Sequence, residues 1–487
     1  MMIFQIEGLP DDAGWTVLRR KLAEADSPHC RLADDTSASV TVALSGVPPA
    51  DARPEAAGQW ALVWGDGKPL TALVGLKEAV CAPYAVVELH LLEYKDSAWV
   101  TLRHAALAVA PGNFAASFAR VLDRAARLII QAATDRHNGV HRARPSFVMP
   151  LAVSMARQDN APAWWRVRAA LCRLRALTGT ILLDENWMIG LVDAPIAAAL
   201  QWTHCPPVRW IGARSLRRYL ADPFAMPGNE QIILCEEYDF ADRMGRIRQL
   251  TLDGTVITQE APVGFNLPGH VSFPFLFAHE GEIYCMPESS AARRLTIFRR
   301  CGGAWQEVAT PLQDAAAADG VLFKYGEYFW IAYTDTGIDR FDNLNLCYAP
   351  ALDGPWRPHA NNPVRLDPRN ARCGGTPFWV DGELYRPVQD CARTYGGAIR
   401  IMHITECTPD AYAEAESAFI QPSPGMNPHG LHTLSVCGGR CLVDGKRMIF
   451  SWRRIALKTR QRLRRMLAGY RQSRHAKPDE KLNDYSK

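Results

Sequence analysis

The sequence predicts a multidomain protein: a small α/β N-terminal domain, then a five-bladed β-propeller, then a basic C-terminal helix. Three observations predict it. A strand-rich pattern recurs about five times between Ala221 and Asp444, with a period of roughly 45–60 residues. Turn residues (Glu280-Gly281, Tyr325-Gly326, Asp381-Gly382) sit between apolar runs, as hairpins require. Helical periodicity appears at Phe114–Ala132, at Trp164–Leu177 and in the basic stretch that follows Lys446.

The N-terminal domain, residues 1–135, alternates strand-like runs (Ser39–Leu44, Trp60–Trp64, Val86–Leu92) with helical ones. Its clearest helix is Phe114 to Ala132, where Phe118, Val121, Leu122, Ala125, Leu128 and Ile129 recur at helical spacing. Residues 136–185 form a basic linker with a hinge rich in Arg, His and Pro and a helix over Trp164–Leu177. That helix sets Trp165, Val167, Leu171, Leu174 and Leu177 against Arg166, Arg173 and Arg175.

The propeller is expected over 186–445. Its plainest copies run from Ala221-Asp222-Pro223-Phe224 to Tyr238, from His270–Phe277 to Ser290, from Ala318–Phe323 to Asp335, and from Gly374–Trp379 to Asp390. The fifth, Gly430–Thr433 to Asp444, is weaker. Four strands cannot bury both faces of a blade, so the units must stack around an axis. Stacking would bring Asp222, Ser272, Asp319, Gly375 and His432 together, near strand ends carrying Glu237, Glu288, Asp335 and Asp390.

Residues 446–487 form the basic tail. From Lys446 to Lys477 there is no Asp or Glu, and Ile455, Leu463, Met466, Leu467 and Tyr470 share one helical face. Such a helix suits an anionic membrane surface. Packing on the propeller is the alternative. Nucleic acid is not expected, since no recognition motif accompanies the charge.

Composition narrows the classes further. In 487 residues, 48% hydrophobic and 22% charged content with a net charge of +4 describes an ordinary globular chain. No apolar run reaches the length of a membrane span, and Met1–Glu7 has no basic region or cleavage site. Thirteen Cys are scattered without a CxxC pair, which reads as reduced thiols. The expectation is a cytoplasmic protein, peripheral on the inner face of the membrane, without metal or cofactor.

Two stretches carry a family resemblance: Val271-Ser272-Phe273-Pro274 with Met286–Ser290, and Tyr385–Arg393 with Tyr395–Ile399. With the blades around them, from about Asn186 to Gly445, they resemble the N-terminal propeller domain of glucosamine inositolphosphorylceramide transferases. That domain is similar in architecture to five-bladed glycosidases of the arabinanase, xylosidase and invertase type. Residues 1–135 resemble a degenerate formyltransferase-like domain. Gln59–Gly67 sits where that family has a histidine-containing run, and Leu62, Val63 and Trp64 stand there instead. Without that base, the resemblance implies a domain that is catalytically dead.

Glycosyl transfer through an oxocarbenium-like transition state needs two carboxylates roughly 5–9.5 Å apart. By the same resemblance Asp222 stands in the place of the first-blade Asp, Glu288 is the candidate acid, and Asp319 positions or tunes it. Candidate substrate-binding residues are Glu237, Arg372, Arg386, Gln389, Asp390, Arg393, Tyr395 and His432. Arg suits bidentate contact with phosphate or carboxylate, and Tyr395 before Gly396-Gly397 could stack on a sugar.

Each residue also has a plainer reading. Asp222 and Asp319 occur in turn contexts, and Asp390 could be a strut to Arg386 or Arg393. The expected partner is an activated sugar, glycan or glycolipid. The expected function is glycosyl transfer in bacterial surface polysaccharide or glycolipid assembly. A non-catalytic glycan-binding scaffold and a cytosolic glycoside hydrolase stay open as alternatives.

Overall fold

The computed structural model describes residues 2–7, 30–32, 40–43, 58–95, 98–137 and 164–450, with Leu18, Arg20, Leu22 and Trp452. The hinge near 138–150 and the helix expected over 453–487 lie outside the described residues. The described protein is mostly β-sheet with few helices.

The N-terminal layer contains β1 (Met2–Glu7), β2 (Cys30–Leu32), β3 (Val40–Ala43), β4 (Gly58–Trp64), α1 (Val74–Ala79), β5 (Val86–Lys95), β6 (Ala98–Ala108) and α2 (Phe114–His137). Its six strands form one sheet in the order β2-β1-β3-β4-β5-β6, parallel up to β4 and antiparallel beyond. Asn113 Oδ1 accepts the Ala116 N–H at 3.1 Å, which satisfies a free donor at the start of α2. The helix buries Val121, Leu122, Ala125, Leu128 and Ile129 against Leu62, Leu89 and Leu91. It continues five residues past the expected Ala132, to His137.

Next comes α3 (Trp165–Leu182), which feeds directly into β7 (Leu183–Val192) and β8 (Arg209–Trp210). Four antiparallel sheets follow. They are β9 (Arg218–Met226), β10 (Asn229–Asp239), β11 (Met244–Asp253) and β12 (Val256–Pro262); then β13 (Ser272–His279), β14 (Glu282–Glu288), β15 (Arg294–Cys301) and β16 (Ala304–Gln313). The third has β17 (Ala317–Tyr325), β18 (Tyr328–Asp335), β19 (Asn343–Ala349), β20 (Arg357–Pro358) and β21 (Arg365–Leu366). The fourth has β22 (Phe378–Val380), β23 (Glu383–Asp390), β24 (Ala398–Cys407) and β25 (Tyr412–Ile420).

The fifth sheet explains why its sequence copy is weak. β26 (Leu434–Cys437) and β27 (Arg440–Phe450) supply half of it, and β7 and β8 supply the rest. β27 pairs antiparallel with β7 from Cys441↔Val192 to Phe450↔Leu183. Residues 446–450, expected in the basic tail, are therefore strand.

Successive sheets touch through their first strands: β9 with β13, β13 with β17, and β7 with β9. A bridge of Gly375 to Leu434 joins the fourth to the fifth. Glycine is required there, because its φ is +139° and a Cβ would lie 1.8 Å from the Leu434 carbonyl oxygen. The expected turns carry the backbone that Gly permits: Glu280 and Gly281 have φ +49° and +80°, Asp381 and Gly382 +52° and +84°.

The N-terminal layer is bonded to the third and fourth sheets. Arg124 donates to buried Asp342 at 2.7 Å and Arg120 to Asp339 at 3.2 Å. Arg369 reaches Glu88 at 2.8 Å. A cleft of about 790 Å³ lies along this junction, lined in part by Arg103, His104, Arg365 and Asp367. None of the predicted site residues lines it.

Candidate functional site

At or just before the first strand of four sheets the chain bends through a residue with positive φ: Asp222 at +51° within β9, Phe273 at +43° within β13, Asp319 at +49° within β17 and Gly375 at +139° ahead of β22. Pairing slips at the first three bends, as a bulge requires. Asp tolerates this backbone better than a bulky residue, yet both Asp positions remain uncommon conformations held by their surroundings. Backbone N–H groups freed at two bends find carboxylates of a neighbouring sheet. Asp222 N–H donates to Asp444 Oδ2 at 3.1 Å, and Asp319 N–H donates to Glu288 Oε2 at 3.2 Å.

Two groups result. In one, His432 lies between two carboxylates, with Nε2 3.2 Å from Asp222 Oδ1 and Nδ1 2.7 Å from Asp444 Oδ2. Thr433 Oγ1 donates to Asp222 at 3.0 Å, and Asp444 Oδ1 accepts the N–H groups of His432 and Thr433. Trp187 packs its ring 4.0 Å from that of His432. In the other, Asp319 Oδ2 accepts Arg372 Nε and Gln389 Nε2, each at 2.5 Å. Arg372 also lies 4.0 Å from Glu288. Tyr395 connects the two, its ring 5.2 Å from the Arg372 guanidinium and 5.2 Å from the His432 ring.

Burial and charge act differently on the two candidate catalytic carboxyls. Burial raises Asp222 to about 7, with His432 opposing the rise and Glu236, Asp444 and Asp319 adding to it. Glu288 stands well above the usual range through burial first, then the nearby Asp319 charge, with Arg372 pulling it back. His432 loses protonation energy by burial, yet Asp444 and Asp222 outweigh that and raise it to about 9. At neutral pH the site therefore holds an Asp222 poised to exchange a proton beside an imidazolium, with burial biasing Glu288 toward its acid form. Two carboxyls shifted toward the acid form in one buried centre are groups that acid–base chemistry can draw on.

Other predicted residues stand apart from this centre. Glu237 pairs with Arg218 and with Arg248 at 2.9 Å. Strand alternation turns Glu236 toward Asp222 and Glu237 to the opposite face. Arg386 is fully buried against Glu414 at 2.9 Å and the carbonyls of Asn370 and Ala371, a strut within the fourth sheet. Asp390 pairs with Arg400 at 2.7 Å, rather than with Arg386 or Arg393, and its other oxygen caps the Ala392 N–H. Arg393 lies over the Tyr84 ring of the N-terminal layer at 5.1 Å.

Sequence reasoning missed Trp187, Glu236 and Lys446, and it treated Asp444 only as a strand end. Lys446 is fully buried and donates to Glu185 at 3.1 Å and Thr394 at 3.0 Å. The available signal was positional. Glu236 and Glu288 pair with Ala221 and Ser272, the residues just before the bends. Asp444 occupies the matching place in the fifth sheet, one residue beyond the Leu434↔Val443 pair.

Two clusters among the described residues have a donor set for a divalent cation. Asp222, His432 and Asp444 form one; Glu88, His90 and His104 on β5 and β6 form the other, each with ligand atoms within 4.8 Å of one another. Burial, then the adjacent His104, lowers His90 to about 4, so its imidazole is neutral at physiological pH. His90 is the direct cross-strand partner of Val63 on β4.

With this geometry in view, residues 204–428 match the family model described as glucosamine inositolphosphorylceramide transferase 1, N-terminal. Two similar proteins bear the name glucosamine inositolphosphorylceramide transferase 1. The Arabidopsis thaliana protein is 29% identical over 248 residues, covering 47% of this chain and 32% of its own. The Oryza sativa subsp. japonica protein is 30% identical over 204 residues, covering 40% and 27%. The chain thus spans about a third of the length of the curated relatives it matches.

Solved glycoside hydrolases also align. A family 117 enzyme of Zobellia galactanivorans does so at 13% identity and TM-score 0.32, over 47% of this chain and 84% of that one. An exo-β-1,3-galactanase of Phanerochaete chrysosporium does so at 11% identity and TM-score 0.27, over 44% and 53%.

Proposed function

We propose that the five sheets are the blades of one β-propeller and that the protein transfers a sugar to a polar acceptor, in the assembly of a surface polysaccharide or glycolipid. The observation that carries this is the pair Asp222 and Glu288. Both are buried in one electrostatic centre, and Asp222 is among the charges that raise Glu288. Similarity to transferases named for inositolphosphorylceramide supports a glycolipid as the acceptor class.

In the proposed step Glu288 gives its proton to the leaving oxygen as the bond from the anomeric carbon to that oxygen breaks. The acceptor hydroxyl forms the new bond and passes its proton to Asp222. His432 stabilises Asp222 as a carboxylate, and Arg372 with Gln389 holds Asp319 beside the acid. Lys446, Trp187 and Tyr395 form the wall on which His432 is oriented.

The test incubates purified protein with nucleotide-sugars or sugar phosphates and inositol-phosphate glycolipid acceptors, with products read by mass spectrometry. A glycosylated acceptor that disappears in both Asp222→Asn and Glu288→Gln is the expected result. Free sugar without acceptor product would replace transfer by hydrolysis. Ligand binding without any product would make the centre a glycan-binding site.

A further inference from the structure

Among the described residues, the surface carries one concentrated anomaly. Trp164, Val167, Leu171, Leu174, Leu177 and Ile181 recur at steps of three and four along α3, and all six are exposed. Val167, Leu171 and Leu174 are 62%, 61% and 59% exposed. Single exposed apolar residues are ordinary, but a contiguous row marks a face that is covered in use.

The helix is fixed in place by its other side. Ala169 is buried, Trp165 packs 5.8 Å from the Phe114 ring, and Cys172 Sγ donates to the Cys81 carbonyl at 2.9 Å. At the crossing, a Cβ on Gly112 would lie 2.2 Å from the Ala169 carbonyl oxygen, so the two backbones are in close contact. The row is thus presented on a rigid support. It continues beyond the helix, since exposed Leu182 leads into Leu183, which pairs with Phe450, and Phe450 and Trp452 are 49% and 73% exposed.

Charge decides what covers this face. Arg166, Arg168, Arg173 and Arg175 flank the row and are all exposed. No Asp or Glu occurs between Trp164 and Leu182. A second copy of α3 would set four arginines against four. The chain's own residues 453–477 are no better suited, being rich in Lys and Arg and without an acid. An anionic surface with an apolar interior satisfies both the row and its flanks.

We propose that α3 is a membrane-docking helix that lies in the headgroup region of an anionic lipid surface, its apolar row inserted and its arginines on the phosphates. Trp164, with Arg168 4.9 Å over its ring, sits at the water boundary at one end, and Trp452 does so at the other. The inference stands on the helix and does not depend on the reaction proposed for Asp222 and Glu288.

The test is co-sedimentation of the full-length chain with vesicles of phosphatidylcholine alone or mixed with phosphatidylglycerol. Binding is expected only to the anionic vesicles and should weaken as salt rises. Replacing Arg166 and Arg173 together by Gln should lower partitioning about thirtyfold, at ~1 kcal/mol for each basic residue. Leu171→Glu with Leu174→Glu should abolish it, and because both positions are exposed the thermal midpoint should not move. Equal binding to neutral vesicles, no binding, or wild-type binding by the double Glu variant would overturn the inference. So would a dimer in light scattering that Leu174→Glu dissolves, which would identify a second copy as the occupant.

Discussion

Raising the pH should unlock the centre at His432, and the size of the effect follows from its surroundings. The folded imidazole titrates at about 9, against 6.5 when exposed, because Asp444 and Asp222 outweigh the cost of burying it. The folded state therefore holds the proton more tightly than the unfolded one. That contribution is fully present below pH 6.5 and is lost as pH rises through about 9. The difference corresponds to about 3 kcal/mol at 1.36 kcal/mol for each tenfold change.

Asp222, raised to about 7 from 3.8, has the same sign at lower pH, so its contribution falls away between about 4 and 7. Urea midpoints measured from pH 6 to 10 on wild type and on His432→Gln would separate the two groups. Wild type should lose stability between about pH 6.5 and 9; the variant should be less stable at pH 6, and the slope left in it belongs to Asp222, which rises further once the opposing His432 charge is gone. A direct reading is the His432 ring proton in an NMR titration. An imidazole that titrates near 6.5 would refute the argument.

Three other outcomes follow from the contacts. Glu288→Gln can still accept the Asp319 N–H, so its unfolding midpoint should hold while sugar transfer falls by about 10²–10⁴-fold, read as initial rates. Arg124→Met leaves Asp342, fully buried and raised to about 6 chiefly by burial, without its 2.7 Å partner. A loss of about 3–5 kcal/mol should appear in urea unfolding, with limited proteolysis exposing α2 first. Gly375→Ala should not give soluble folded protein, since the added methyl meets the Leu434 carbonyl at 1.8 Å; normal yield and circular dichroism would contradict the tight bridge.

The sequence made the sheets legible because apolar alternation and turn residues are local signals. Glu280-Gly281 and Asp381-Gly382 are turns wherever they occur between such runs, and their backbones adopt positive φ here. Facing was harder to read. A bulge beside each bend shifts the pairing, and the sequence does not show where, so Glu237 was chosen when its neighbour Glu236 faces Asp222. Arg386 and Asp390 read as site residues for a different reason. Their partners, Glu414 and Arg400, lie on other strands, and only the assembled sheet shows that these charges are already satisfied. Trp187 and Lys446 reach the centre through the pairing of β7 with β27, a contact between segments far apart in the chain.

That same pairing makes the fold a clasp with a history. During synthesis β7 leaves the ribosome long before β27 exists, so one edge of the fifth sheet waits unpaired while four sheets form behind it. An open edge is a template for foreign strands, and β8 covers only the opposite edge of β7, over Gly190 and Leu191. Closure must then be the last event, and it completes the site in the same stroke: β27 brings Asp444 to Asp222 and Lys446 to Glu185. A chain cut short before Arg440 would lose both the Asp444 partner of His432 and the strand that covers the open edge of β7. For this protein, pairing β27 with β7 and assembling the buried cluster are the same step.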